Sequence, residues 1–249
     1  MSKKVLIVDI GNTATEFAVF EGENLQEFLG FFKIPRDIEN VKKALNSYEK
    51  QGLKLDDAMI FSVVPSNNEK VKDAIKETFD IEAKVFDWEG YELSKKNPKI
   101  TDPIGADLLA DIKQADVEYG GPCLVADFGT ITKLIYLDKD GNFDGLSLIP
   151  GLEITMENFS SSTELLPELE NTNPPKGRLG LSTAESMLHG TYWSSVYFVK
   201  EVLKTINKET KPIITGGNLR LIKEEFPEAI VDKELTLKGM NVLYKETVK

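Results

Sequence analysis

The sequence predicts a duplicated α/β protein, and three observations carry the prediction. Two apolar runs, Val5-Leu6-Ile7-Val8 and Cys123-Leu124-Val125-Ala126, each end in a short polar turn: Asp9-Ile10-Gly11-Asn12-Thr13 and Asp127-Phe128-Gly129-Thr130-Ile131-Thr132. Each turn opens a second apolar run, Phe17-Ala18-Val19-Phe20 or Leu134-Ile135-Tyr136-Leu137, which closes in an acidic, glycine-bearing turn at 21–24 or 138–142. The two leading aspartates stand 118 positions apart in a chain of 249 residues, close to half its length. Short apolar runs bounded by Gly, Asn and Asp are strand signals, and strands interleaved with helical periodicity make a layered α/β architecture.

In chain order, strands are predicted near 4–10, 15–21 and 25–34. A helix follows near 37–50, where Ile38, Val41, Leu45 and Tyr48 recur at helical spacing. A strand over 59–64 runs into Pro65, and Ser66-Asn67-Asn68-Glu69 has the pattern of a capping box opening a helix with Val71, Ile75 and Phe79. A short strand at 83–87 and a proline-bearing loop at 88–104 lead to a helix at 105–118. The second half repeats the order, with strands near 122–128, 132–138 and 144–149 and a helix after Pro150-Gly151. The irregular segment 160–181, holding Pro167, Pro174, Pro175 and Gly177, reads as a mobile loop. Ser182-Thr183-Ala184-Glu185 caps a long helix to about 208. A strand at 212–214, the turn Thr215-Gly216-Gly217-Asn218, a helix, a strand at 229–232 and a final helix complete the chain.

Composition narrows the function classes. With 30 basic and 41 acidic residues, the net charge of −11 argues against nonspecific nucleic-acid or anionic-membrane binding, since either surface would repel the chain. The single cysteine, Cys123, excludes an intrachain disulfide and reads as a buried thiol in a reducing compartment. His189 is the only histidine, which excludes multi-histidine metal centres. The chain carries no signal-peptide pattern and no apolar stretch of membrane-spanning length, so a cytoplasmic protein is expected.

The chemistry of the paired turns points to phosphate. Glycine lets backbone N–H groups approach a ligand closely, and successive N–H groups with threonine or asparagine side chains can cradle phosphate oxygens. An aspartate at the strand end would repel phosphate directly, but can hold a cation, or water on a cation, that screens the repulsion. One such string alone is also an ordinary hairpin turn. Two in matched contexts favour the ligand. Lys133 could reach a phosphate, although a strand-edge lysine is more often solvated, and Asp138 and Asp140 read as turn residues.

Taken in order, Asp9-Ile10-Gly11-Asn12-Thr13, Ser62-Val63-Val64-Pro65, Gly105-Ala106-Asp107, Asp127-Phe128-Gly129-Thr130, Pro150-Gly151, Ser182-Thr183, Thr215-Gly216-Gly217 and Leu235-Thr236-Leu237-Lys238-Gly239 resemble the type III pantothenate kinases almost end to end. The resemblance implies duplicated ribonuclease-H-like domains of the actin and hexokinase type around a central nucleotide cleft, one over 1–118 and the other over 119–249. It implies ATP-dependent phosphorylation of pantothenate, the first step toward coenzyme A, by a homodimer. ATP would be bound by Asp9, Gly11, Asn12, Thr13, Thr15, Gly129, Thr130, Gly216 and Gly217, the last two near the adenosine. Asp9 would hold magnesium through water. Asp127 matches a ligand of a monovalent cation, potassium or ammonium. Asp107 matches the general base, and Gly105, Ala106, Asp107, Leu108 and Thr183 fall on the substrate-binding positions.

The chain departs from the family pattern in three places. The Gly-x-Asp-Arg motif reads Gly105-Ala106-Asp107-Leu108, a family tyrosine upstream falls on Ile100, and the Ala-Thr-Thr run after Thr130 reads Ile131-Thr132-Lys133. Two further readings therefore stand beside the pantothenate kinase. One is a nucleotide-binding paralogue without kinase activity, regulatory or accessory; the other is a kinase of the same fold for another small hydroxyl substrate.

Overall fold

The computed structural model describes residues 3–33, 37–169 and 173–248. Its strands are β1 (Lys4–Ile10), β2 (Thr15–Glu21), β3 (Asn24–Phe32), β4 (Asp57–Ser62), β5 (Lys84–Val85), β6 (Cys123–Phe128), β7 (Ile131–Leu137), β8 (Phe143–Pro150), β9 (Lys211–Thr215) and β10 (Ile230–Val231). Its α-helices are α1 (Ile38–Lys50), α2 (Asn68–Phe79), α3 (Ala106–Gln114), α4 (Leu152–Ser161), α5 (Thr183–Thr205), α6 (Leu219–Ile222) and α7 (Leu235–Thr247). They form two compact units, each built on one five-stranded sheet.

The first sheet has the order β3-β2-β1-β4-β5. Its first three strands form an antiparallel meander, whereas β4 and β5 run parallel to β1 on its other side. Alternation along β1 divides its side chains between two faces. Leu6, Val8 and Ile10 join Phe17 and Val19 of β2, Val41 and Leu45 of α1, and Val71, Ala74 and Ile75 of α2 in one apolar cluster. Val5 and Ile7 are also buried, on the face where α3 packs against β4 and α7 against β1.

Helix α7 belongs to this unit, which comprises Met1–Ser94, Thr101–Gln114 and Leu235–Lys249. A division at 118/119 would assign that helix to the second copy, and the packing gives the reason for the difference. Gly239 lies so close to α3 that a Cβ there would stand 1.9 Å from the Ala110 carbonyl oxygen. Three polar contacts add to it: Thr236 donates to Asp111 at 2.7 Å, the Asn241 amide to the Gly22 carbonyl at 2.9 Å, and the Tyr244 hydroxyl to Asp57 at 2.8 Å.

The second unit, Lys95–Ile100 with Ala115–Glu234, repeats the plan. Its sheet order is β10-β9-β6-β7-β8, with β6, β7 and β8 antiparallel and β9 and β10 parallel to β6. Reading β6 for β1, this is the strand order of the first sheet. Leu124, Ala126, Phe128 and Leu134 pack with Leu152 of α4, Tyr192, Trp193, Val196 and Val199 of α5, and Leu219 and Ile222 of α6. The turn after β7 is held by Asp138, whose Oδ1 accepts from the N–H groups of Asp140 and Asn142, both at 2.9 Å. These acids therefore serve the turn.

Local capping departs from expectation at one helix and meets it at another. Pro65–Asn67 form a 3-10 turn, and α2 starts at Asn68 without a side-chain cap bond. The expected capping box at 66–69 does not form, because Pro65 starts the 3-10 turn that carries Ser66 into helical backbone, where its side chain cannot cap. At α5 the cap is present: Ser182 Oγ accepts from the Glu185 N–H at 3.2 Å, and the Glu185 carboxylate accepts from the Leu181 N–H at 2.7 Å. The segment preceding it has no regular structure in its described residues from 163 to 182. It is anchored where the Trp193 indole N–H donates to the Gly177 carbonyl at 2.8 Å and Arg178 stacks 3.6 Å above the Trp193 ring. Residues 170–172 of that predicted loop, and Ile34 of the predicted third strand, lie outside the described residues.

Cys123 is fully buried in β6, and burial pushes its thiol up to about 11. Only the thiolate alkylates at a useful rate. The folded protein is therefore expected to resist iodoacetamide at pH 8 and to label once unfolded in urea; rapid labelling of the native state would contradict this packing.

Candidate active site

In the first unit, Asp9 is the penultimate residue of β1 and lies directly opposite Glu16 of β2 in the antiparallel ladder. Opposed residues project from the same face, where like charges are unfavourable. Both are half-buried. A pair of acids at the mouth of a glycine turn offers carboxylate oxygens to a divalent cation. The turn is narrow: the Gly11 N–H donates to the Ala14 carbonyl at 3.0 Å, and a Cβ on Gly11 would stand 3.1 Å from that oxygen. Asn12 and Thr13 are exposed at its tip, while Thr15 is buried. The Ile10 carbonyl accepts from the Val63 N–H at 3.1 Å, so the Ser62-Val63-Val64-Pro65 string braces the turn from β4.

Asp107, in the same unit, is the second residue of α3 and is half-buried. The Leu109 N–H donates to the Gly105 carbonyl at 2.9 Å, closing the first turn of the helix. A Cβ at Gly105 would stand 3.1 Å from Asp107 Oδ1, so the carboxylate leans back over the Gly105 backbone. Ala106 is buried and Leu108 half-buried.

In the second unit, the turn after β6 is pinned through its carbonyls. The Phe128 carbonyl accepts from the Asn218 N–H at 3.0 Å, the Gly129 carbonyl from the Asn218 side-chain amide at 3.5 Å, and the Thr130 carbonyl from the Gly151 N–H at 2.9 Å. With these oxygens engaged, fewer acceptor dipoles are available to oppose an anion at the turn. Gly216 closes over the same place with φ +97°, and a Cβ there would meet Asp127 Oδ1 at 2.3 Å and the Phe128 backbone at 2.6 Å. A Cβ on Gly217, by contrast, would meet nothing within 4 Å. Asp127, Gly129, Thr130 and Gly216 are thus brought together, with Gly217 exposed beside them. Thr183 is the exposed first residue of α5.

Asp127 is 6% exposed, and its carboxylate Oδ2 lies 2.6 Å from Nζ of Lys133, directly opposite it across the β6–β7 ladder. Lys133 is itself 9% exposed. The expectation of a solvated strand-edge lysine is overturned, because β7 is covered on both faces along Thr132, Lys133 and Leu134. Glu16 belongs to no motif in the sequence, and the partners of Asn218 and Gly151 lie far along the chain from them. The 118-residue offset that equates Asp9 with Asp127 carries Glu16 onto Leu134, because the second turn is one residue shorter; only the ladder register makes Glu16 and Lys133 equivalent.

Among the described residues no group of three or more His, Cys, Asp and Glu side chains is arranged to hold a metal. Magnesium does not require one. It is commonly held by one or two carboxylates together with substrate phosphates and water, and Asp9 with Glu16 fits that description.

Comparison with known proteins places the chain in a family. A family model described as type III pantothenate kinase matches residues 5–205. The chain is 31% identical to a type III pantothenate kinase of Agathobacter rectalis, with 97% of each chain covered. It is 30% identical to one of Dehalococcoides mccartyi, with 98% of each covered. Its fold is also that of the ethanolamine utilization protein EutJ from Carboxydothermus hydrogenoformans, with a TM-score of 0.58 at 16% identity over 98% of this chain and 90% of the other. With a family match from the first strand into the fifth helix and full-length relatives at this identity, the chain belongs to the type III pantothenate kinase family.

Proposed function

We propose that this protein transfers the γ-phosphoryl group of ATP to the primary hydroxyl of pantothenate. The observation that carries the reading is the repetition of one device: a glycine turn led by an aspartate, at the same position of two sheets with the same strand order. Membership of the family supports the activity and its use of ATP with a divalent metal.

The residue roles follow from the chemistry. Gly11, Asn12, Thr13 and Thr15 of the first turn, and Gly129 and Thr130 of the second, take phosphate oxygens through backbone N–H groups and short polar side chains. Asp9, with Glu16 opposite it, would hold magnesium through water, and the ion would neutralise charge on the phosphates. Gly216 and Gly217 leave room for the adenosine. Gly105, Ala106 and Leu108 line the acceptor's approach to Asp107, and Thr183 contacts the acceptor. Asp107 orients the hydroxyl and accepts its proton as the oxygen bonds to phosphorus and the bond to the β,γ-bridging oxygen breaks, releasing ADP. Phosphoryl transfer depends on such alignment and neutralisation more than on covalent help from the protein. A monovalent ion at Asp127 is a further expectation of the family, but that carboxylate is held by Lys133 at 2.6 Å, so no part of the reaction is assigned to such an ion.

We also assign the chain to a cytoplasmic homodimer. Leu146 and Leu148, 39% and 56% exposed on edge strand β8, offer an apolar face in keeping with that assembly. No described helix is long and apolar enough to cross a membrane.

Leu108 favours a second reading, a nucleotide-binding paralogue without turnover, because the family's arginine is absent there. ADP release in ATP, magnesium and pantothenate, with mass analysis of the product, separates the readings. Phosphopantothenate supports the kinase. Nucleotide binding without turnover supports the paralogue, and turnover only with other alcohols supports a different acceptor. Replacing Leu108 with arginine is expected to tighten pantothenate binding about tenfold to a hundredfold, the worth of one charge-assisted hydrogen bond. An unchanged KM for pantothenate would mean that another residue already fills that role.

A further inference from the structure

We propose that Lys133 is the resident cation of the second phosphate turn, so that this protein needs no added monovalent ion to hold its nucleotide. The inference rests on the nucleotide half of the kinase reading. It starts from an asymmetry between the two copies. At the first turn the residue opposite the leading aspartate is an acid, Asp9 against Glu16. At the second it is a base, Asp127 against Lys133. The second copy therefore carries a cation beside its leading aspartate, at the ladder position where the first has an acid.

The placement of Lys133 suits this role better than that of a structural ion pair. Its Nζ lies 2.6 Å from Asp127 Oδ2, and both side chains are about nine-tenths shielded from water. Burying such a pair costs desolvation that its attraction does not always offset, so an apolar pair of similar volume can serve a core equally well. Here the pair stands at the end of β6, where the turn that follows it meets the end of β9. Gly129 stands two residues after Asp127, Gly216 closes over Asp127 Oδ1, and Thr215 is the neighbour of Asp127 in the parallel ladder to β9. An ion entering from solution would have to compete for the carboxylate with an ammonium already at hydrogen-bonding distance. That ammonium also cancels the repulsion that Asp127 would otherwise exert on phosphate oxygens at Gly129 and Thr130.

The test measures equilibrium binding of ATP with magnesium by calorimetry, so that it does not depend on the acceptor. Potassium chloride is compared with tetramethylammonium chloride at equal ionic strength. Wild-type affinity is expected to agree within about twofold between the two salts, since the cation is built in. Lys133→Thr is expected to bind about tenfold to a hundredfold more weakly in tetramethylammonium, the loss of one charge-assisted contact. Potassium should recover much of that affinity and raise the melting temperature of the variant while leaving that of the wild type unmoved. Wild-type binding that requires potassium would overturn the inference and leave the kinase reading standing. Absence of nucleotide binding in both salts would overturn both. The wild-type comparison holds even if Lys133→Thr fails to fold.

Discussion

Asp107→Asn is expected to lower kcat about 10²–10⁴-fold, the usual contribution of a positioned general base, while ATP affinity stays unchanged. That loss corresponds to about 2.7–5.5 kcal/mol of transition-state stabilisation. The competing explanation for an acid at this position is helix electrostatics: Asp107 sits in the first turn of α3, where a carboxylate contributes about 0.3–1 kcal/mol to stability. The two accounts differ in where the loss appears. A base lost to asparagine leaves urea unfolding within about 1 kcal/mol of wild type and removes turnover. A purely structural acid would shift the unfolding midpoint and leave kcat within a few-fold. Steady-state kinetics with pantothenate, paired with urea unfolding, decides between them.

The second large effect is expected at Gly216. Alanine there must adopt φ +97° and place its Cβ 2.3 Å from Asp127 Oδ1 and 2.6 Å from the Phe128 backbone. Backbone strain and overpacking together are expected to cost about 2–5 kcal/mol of stability. The same displacement moves the Asp127–Lys133 pair and the Gly129–Thr130 turn, so ATP affinity should fall at least about tenfold, one lost hydrogen bond's worth. Gly217 is the internal control. A Cβ there meets nothing within 4 Å, so Gly217→Ala should unfold with the wild type, and any loss of ATP affinity would come from the ligand side. Equal destabilisation at both positions would mean that the Gly216 contacts do not govern this turn.

What could be read from the sequence was local. The central strands announce themselves as apolar runs of strand length, and the turns between them as clusters of Gly, Asn and Asp, so β1, β2, β6 and β7 fall within a residue or so of their predicted limits. The duplication follows from repetition of that local pattern. Features set by distant partners were not legible. Helix α7 packs with the first unit because a glycine late in the chain admits the Ala110 backbone, and no periodicity encodes that partner. The burial of Lys133 depends on β7 being covered on both faces, whereas a lysine near a strand end ordinarily stays in water. The opposition of Asp9 and Glu16 became visible only with the ladder register, which depends on the length and geometry of the turn between the strands. Gly105, Asp107 and Leu108 could be singled out in the sequence, yet the leaning of the Asp107 carboxylate over Gly105 is a matter of helix-start geometry.

The most direct measurement follows the γ-phosphoryl group itself, in a single turnover with enzyme in excess over γ-labelled ATP and pantothenate in saturating supply. The wild type should pass the label to pantothenate, and Asp107→Asn should bind the labelled nucleotide and retain it as ATP. Label that never reaches pantothenate in the wild type, or that reaches it at an undiminished rate in Asp107→Asn, would contradict the account.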